Sequence, residues 1–435
     1  MTEPVTEPDT DLAAIYRREA GRCTATLIRV LGDIDLAEDA VAEAFAIAAE
    51  RWPVDGTPPN PGGWITTTAR NRAIDRLRRE STRTDRYVAA HRLALDGHEA
   101  ASHDTDPTDM HRTDDEPDPL DELDALVDVV PDDQLRLMFL CCHPALSPDA
   151  QVALTLRLLG GLATHEIARS FVVPEATVAQ RIVRAKRKLH ANHAAYRIPA
   201  AAELPDRLPM LLAVIALVYT EGHTVTAGSD LARADLCAEG IRLTRVLVEL
   251  MPDEAEAMGL LAWLLLTDAR RPARTAADGS FVPLDEQDRT RWDRALIAEG
   301  HDLVRACLRR DQPGPYQIQA AIAAVHADAP RAELTDWSQI VASYDLLLRM
   351  QPTAIVELNR AVAIGRRDGP TAGLTALDAI DPERLDGYQP YHAARADLLA
   401  RTGGGPDAAA AYDRAIELTD NPTERAFLET QRERR

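Results

Sequence analysis

Two clusters of basic side chains, far apart in the sequence, have the composition needed to hold a polyanion. The first lies in Gly63 to Arg79 and carries Arg70, Asn71, Arg76, Arg78 and Arg79. The second lies in Pro174 to Leu189 and carries Arg181, Arg184, Lys186, Arg187 and Lys188 against a single acid, Glu175. A guanidinium supplies fixed charge and a planar fork, and an asparagine amide both donates and accepts toward a base edge. The chain as a whole has 435 residues and a net charge of -21. An evenly basic skin is therefore excluded, and positive charge is concentrated where nucleic acid could be met. Two such clusters on separate domains imply two DNA contacts at a set separation.

The elements that must position the second cluster follow from the pattern around it. Thr164 can cap a short helix over 164–171, Val172 and Val173 make a turn, and Pro174 suits the first position of the next helix. Val178, Ile182, Ala185 and Leu189 then form an apolar stripe at helical spacing. Thr177, Gln180, Arg181, Arg184 and Lys188 fall on the other side. One face packs and the other can enter a major groove, as in a helix-turn-helix. A merely solvated face on a helical bundle is the alternative; the base density and the preceding turn favour DNA.

In the first cluster Ile65, Ala69, Ala73 and Leu77 can pack inward, leaving the polar residues elsewhere on the cylinder. The Pro- and Gly-rich loop before it carries Asn60 and is closed by Trp64. A polar loop beside an aromatic ring could hold an unstacked base, although a Trp at a helix start commonly anchors a core. Upstream, Leu36, Ala40, Ala44 and Ala48 give one apolar helix face, and Asp35, Asp39 and Glu43 an acidic one. Pro53 and the loop are expected to end that helix.

The length suits about two to four domains. Hydrophobic residues make up 46% and aromatic residues 4%, so the cores are built from Leu, Ala and Val, which suits helices. The acidic start of the chain is no signal peptide, and the apolar run Leu208 to Tyr219, interrupted by Pro209, is too short to span a bilayer. No membrane association is expected. Five scattered cysteines argue for a reducing cytoplasm rather than a disulfide framework.

Residues 91–130 are acidic and poor in large apolar groups, with Pro107, Pro117 and Pro119, and are expected to form a flexible linker. From Pro205 an Ala/Leu-rich region runs onward. In it Tyr344-Asp345 is followed by Pro352 and Tyr412-Asp413 by Pro422, at about twice the 34-residue tetratricopeptide period. Ala411 and Ala415 fit the same repeat, and stacked helix pairs in a solenoid are the physical reading.

Three other constellations are weaker. Cys141-Cys142-His143 lacks a second cluster at zinc spacing and reads as buried thiols. Glu221-Gly222-His223 reads as a helix-end turn, and Gly279 as a turn in a polar connector between helix pairs. No phosphate loop, dinucleotide fingerprint or hydrolase elbow is present, so neither an enzyme nor a cofactor or metal is expected.

Taken in order, the stretches Ala37 to Phe45, Trp52-Pro53, Asn60 to Ile65, Ala69 to Arg78, Leu154 to Arg157, His165 to Ala168 and Arg184 to Lys188 resemble the extracytoplasmic-function (ECF) sigma factors of bacterial RNA polymerase. Tyr219 to His223, Leu284 to Arg289 with Trp292, and Leu358 to Ala363 resemble the extension of an ECF group with a C-terminal tetratricopeptide-like domain. The resemblance implies an all-α chain: a region 2-like domain over 11–90, the acidic linker over 91–130, a region 4-like helix-turn-helix domain over 131–195, and a C-terminal α-solenoid over 200–435.

It also implies roles. Asp39 and Glu43 would dock on core polymerase. Asn60, Trp64, Arg70, Asn71, Arg76, Arg78 and Arg79 would contact the −10 element. Thr177, Gln180, Arg181, Arg184, Lys186, Arg187 and Lys188 would contact the −35 element. The linker would thread the polymerase channel. The solenoid would take a further protein partner or an intramolecular one. The competing readings are a helix-turn-helix regulator with a tetratricopeptide-like sensor, and an enzyme in the C-terminal region.

Overall fold

The computed structural model describes residues 12–96, 131–171, 173–192, 194, 196–200, 202–223 and 234–434. The expected linker lies almost entirely outside the described residues, as does the acidic start of the chain. Two compact units divide the chain: residues 1–164 with 179–207, and 165–178 with 208–435. Among the described residues all regular structure is helical, apart from one isolated bridge between Thr275 and Phe281.

In the first unit α1 (Leu12–Leu31), α2 (Ile34–Asp55) and α3 (Pro61–Asp96) precede α4 (Pro131–Cys141) and α5 (Pro148–Leu158). Asp33 starts α2 by accepting from the Leu36 amide at 2.8 Å. Ala37, Ala40, Val41, Ala44, Phe45, Ala48 and Trp52 form its buried stripe. The helix runs through Pro53 to Asp55, beyond the expected stop, and ends at Gly56 (φ 84°). Proline breaks a helix by losing one amide bond and crowding the preceding turn, a smaller cost near the end. α3 buries Ile65, Ala69 and Ala73 and continues well past the expected basic segment.

Within the first unit α1 packs against α2, α3 and α4. Asp133 of α4 is 1% exposed and is clamped by Arg29 of α1 at 2.8 Å and Arg136 at 2.7 Å. The Tyr196 hydroxyl lies 2.6 Å from the Ala25 carbonyl and 2.9 Å from that of Asp133. Gly21 permits the close approach of α1 to the end of α5, since a Cβ there would stand 2.7 Å from the Leu159 carbonyl oxygen. Breaking a buried, paired carboxylate costs about 3–5 kcal/mol, so this contact is a structural joint.

Helices α6 (Thr164–Ser170) and α7 (Glu175–Ala191) occupy the expected helix-turn-helix. Pro174 stands one position earlier than expected, outside α7, where its carbonyl accepts from the amides of Thr177 and Val178. A missing N–H costs little at that position.

The second unit contains α8 (Leu204–His223, from Leu208 onward), α9 (Ala234–Leu250), α10 (Ala255–Asp268), α11 (Arg294–Arg310), α12 (Pro315–Asp328), α13 (Trp337–Met350), α14 (Ala354–Arg367), α15 (Pro370–Asp378), α16 (Gln389–Arg401), α17 (Gly405–Leu418) and α18 (Pro422–Glu433). Neighbouring helices pack in series, so apolar clusters follow one another along the chain. Leu266, Trp292, Ile297 and Ala323 form one, Ile322, Ile340, Leu347 and Val356 the next, then Leu358, Leu377, Tyr391 and Leu398, and finally Ala396, Ala411, Tyr412, Ala415 and Leu428. This is the one-dimensional core of a helical solenoid.

The Tyr-Asp repeat has a structural meaning. Asp345 of α13 pairs with Arg360 of α14 at 2.5 Å, and Asp413 of α17 pairs with Arg432 of α18 at 2.6 Å. In both places the acid ties one helix to the next.

Candidate nucleic-acid and polymerase interface

The apolar stripe of α7 sets its orientation. Val178, Ile182, Ala185 and Leu189 are all buried, while Gln180, Arg184, Arg187 and Lys188 are exposed and Thr177 is half-buried. The outward face thus holds three cations and an amide, the mixture that meets phosphates and base edges. Arg181 pairs with exposed Asp149 at 3.2 Å, a surface ion pair of the weak kind that exchanges readily for another anion.

Lys186 points elsewhere. Its side chain is 14% exposed, and Nζ stands 2.5 Å from Asp35 Oδ1 and 2.7 Å from Glu38 Oε2 of α2. Glu38 also receives Arg157 of α5. Burial works against the Lys186 charge, but the two carboxylates outweigh it and raise its pKa. One residue expected to face DNA is held instead by the acidic helix of the same unit.

The remaining DNA candidates lie on α3 or just before it. Asn60 precedes the helix, and its Oδ1 accepts from the Gly63 amide at 3.0 Å. Its carbonyl accepts from the Trp64 amide at 3.1 Å. Asn60 is therefore the helix cap, and a base would be met by its NH2 group or after the cap opens. Half-buried Trp64 sets its ring edge-to-face on Trp52, with centroids 5.4 Å apart, so it anchors the loop to the end of α2.

Arg70 donates to the exposed Asn71 side chain at 3.1 Å, and Arg79 Nε to the Asp75 carbonyl at 3.0 Å. Arg78 is exposed. Arg76 reaches back to Asp39 of α2 at 3.1 Å. That pair joins a residue expected to touch DNA to one expected to touch polymerase. Glu43 is exposed farther along the same helix. Sequence reasoning missed Glu38 and Arg157, whose partners lie more than a hundred positions away and leave no periodic trace.

The set-aside constellations are structural. Cys141 and Cys142 are fully buried, and burial pushes the Cys142 thiol up to about 12. His223 ends α8, stacks on Tyr219 at 5.5 Å, and is held well below its usual pKa by burial and by Arg274, Arg270 and Arg271. Gly279 (φ 86°) makes the expected turn in the connector between α10 and α11. Among the described residues no helix is long and apolar enough to cross a membrane.

Three family models match the chain: Sigma-70 region 2 over residues 15–83, Sigma-70, region 4 over 136–189, and a family of unknown function (DUF6596) over 207–308. A similar protein is the "Uncharacterized protein R00370" of Rhizobium meliloti (strain 1021), 42% identical over 97% of this chain and 94% of that protein. Another is the "Probable ECF RNA polymerase sigma factor SigI" of Mycobacterium tuberculosis (strain ATCC 25618 / H37Rv), 28% identical over 44% of this chain and 57% of that protein. No solved structure matches.

Proposed function

This chain belongs to the ECF-type RNA polymerase sigma factors and carries a C-terminal helical extension, and from that premise we propose how its residues divide the work. It binds core RNA polymerase and promoter DNA in transcription initiation. In our proposal residues 11–90 hold the polymerase and the −10 element, 131–195 hold the −35 element, and 91–130 join them through the polymerase channel. The C-terminal part over 200–435 supplies regulation or a further protein contact.

Within the first part, the acidic face carrying Asp39 and Glu43 meets a basic surface of the polymerase, an apt complementarity. Asn60 reads a flipped base beside Trp64, and Arg70, Asn71, Arg76, Arg78 and Arg79 hold adjacent DNA and assist its melting. On α7, Thr177, Gln180, Arg181, Arg184, Arg187 and Lys188 take the major groove. Lys186 joins them only once it leaves Asp35 and Glu38. The chain supplies specificity in the cytoplasm and leaves the chemistry to the polymerase, with no active site of its own.

The observation that carries this reading is the two-sidedness of α7: a fully buried apolar stripe with Gln180, Arg184, Arg187 and Lys188 outside. Footprinting tests it. The full chain with core polymerase should protect two promoter segments, with α7 variants losing only the upstream one. Equal protection of the same DNA without polymerase would point instead to a conventional helix-turn-helix regulator.

A further inference from the structure

The connector after α10 is rich in arginine, and its cations differ in one respect. Arg271 pairs with Asp268 at 3.2 Å. Arg274 donates to the His223 carbonyl at 2.5 Å. Arg289 donates to the carbonyls of His326 and Ala329 at 2.7 and 2.6 Å and lies 4.7 Å over the Trp292 ring. The Arg270 guanidinium has neither a hydrogen bond nor an ion pair with any described residue, although the backbone amide of Arg270 donates to the Thr267 carbonyl. Arg270 lines an open cavity of about 420 Å³ bounded by α10, α12, α13 and α14.

The rest of the lining gives the cavity a definite chemistry. Trp263 and Tyr344 supply aromatic surface, and Gln319 and Asn359 supply amides. Thr267 and His326 line it too, and the Thr267 hydroxyl and His326 Nδ1 are buried without a hydrogen-bond partner. No aspartate or glutamate contributes, although the chain as a whole is strongly acidic. Exposed Ile355 and Asn359 place the mouth at the surface.

Burial pulls the Arg270 guanidinium down to about 10, which still leaves it charged at neutral pH. Burial pulls His326 down to about 3, with Arg270 and Arg289 adding to the effect, so its ring is neutral there. A half-buried guanidinium with no protein carboxylate beside it is free to take an anion from solution. The cavity volume falls in the range of small-molecule sites, about 300–1,000 Å³.

We propose that this cavity binds a small organic anion. Its carboxylate or phosphate oxygens pair with the Arg270 fork, Gln319 or Asn359 complete its hydrogen bonds, and a planar or apolar body rests against Trp263 and Tyr344. The solenoid is thereby a ligand-binding module in its own right. Binding there is independent of promoter recognition.

Calorimetry on the full chain tests it, with phenyl phosphate and benzoate as probes and benzyl alcohol as the neutral control, at constant ionic strength. One-site saturable binding of at least one anion is expected, with none for the alcohol. The better of the two anions tells phosphate from carboxylate recognition. Arg270→Gln should weaken that binding about tenfold or more, since hydrogen bonds to charged groups contribute about 1.5–3 kcal/mol. The surface variant Arg309→Gln should bind as the parent does. Should Arg270→Gln lose its helical circular dichroism, Arg270→Lys and Gln319→Leu decide in its place. No saturable binding of either anion at millimolar concentration, or unchanged affinity in the cavity variants, overturns the proposal.

Discussion

Lys186 of α7 bridges Asp35 and Glu38 of α2, at 2.5 and 2.7 Å. The contact joins the segment matched by the region 4 model to the segment matched by the region 2 model. Its energetic weight comes from burial, since both Lys186 and Glu38 are mostly withdrawn from water while Asp35 is not. Exposed pairs contribute about 0–1 kcal/mol, and half-buried ones more because breaking them strands a charge.

Lys186→Glu should therefore loosen α7 from α2 by about 1–3 kcal/mol. Hydrogen exchange of the α7 amides should accelerate, and adding Asp35→Lys should restore part of the protection. Unchanged exchange in Lys186→Glu would show that the bridge holds nothing.

Reversing Arg181 and Arg184 to Glu should weaken binding of the upstream promoter element by several kcal/mol, at about 1–3 kcal/mol per good contact. A pull-down with core polymerase should be unaffected. Loss of polymerase in that pull-down would refute the division of labour between α7 and the acidic face of α2.

The repeat in the solenoid predicts a contrast between neighbours. Tyr412 is 3% exposed and packs in the last apolar cluster, so Tyr412→Ala should cost about 3–5 kcal/mol by denaturant melting. The adjacent Asp413 makes an exposed pair with Arg432, so Asp413→Asn should cost about 1 kcal/mol or less. Similar losses in both variants would contradict the packing described for α17 and α18.

Protonation of buried histidine gives a pH dependence. His326 is held neutral down to about 3, against 6.5 unfolded, and His223 is lowered as well. Between those values the unfolded chain binds more protons than the folded one. Stability is then fully present above about 6.5 and falls with decreasing pH, by up to about 1.4 kcal/mol per pH unit for each histidine. Melting of His326→Phe should show a shallower acid slope than the parent between pH 6 and about 4. A parallel slope would contradict the burial assigned to that ring.

Short-range pattern carried much of this into the sequence. The stripe Val178, Ile182, Ala185 and Leu189, the inward face Ile65, Ala69 and Ala73, and the repeated Tyr-Asp pairs all report helices through their own spacing. Asn60 was legible as a special loop residue, but its capping of α3 depends on a geometry that one letter does not convey. The clamp on Asp133, the bridge through Lys186 and the unpaired Arg270 were not legible. Each brings together residues from distant helices, and only the fold says which charge finds a partner.

The most direct measurement is transcription reconstituted from core polymerase, a cognate promoter and the full chain. Initiation from a defined start site, dependent on this chain and abolished by Asn60→Ala together with Arg184→Glu, is the predicted result. Failure of the intact chain to bind core polymerase at any ionic strength would contradict the assignment at its root.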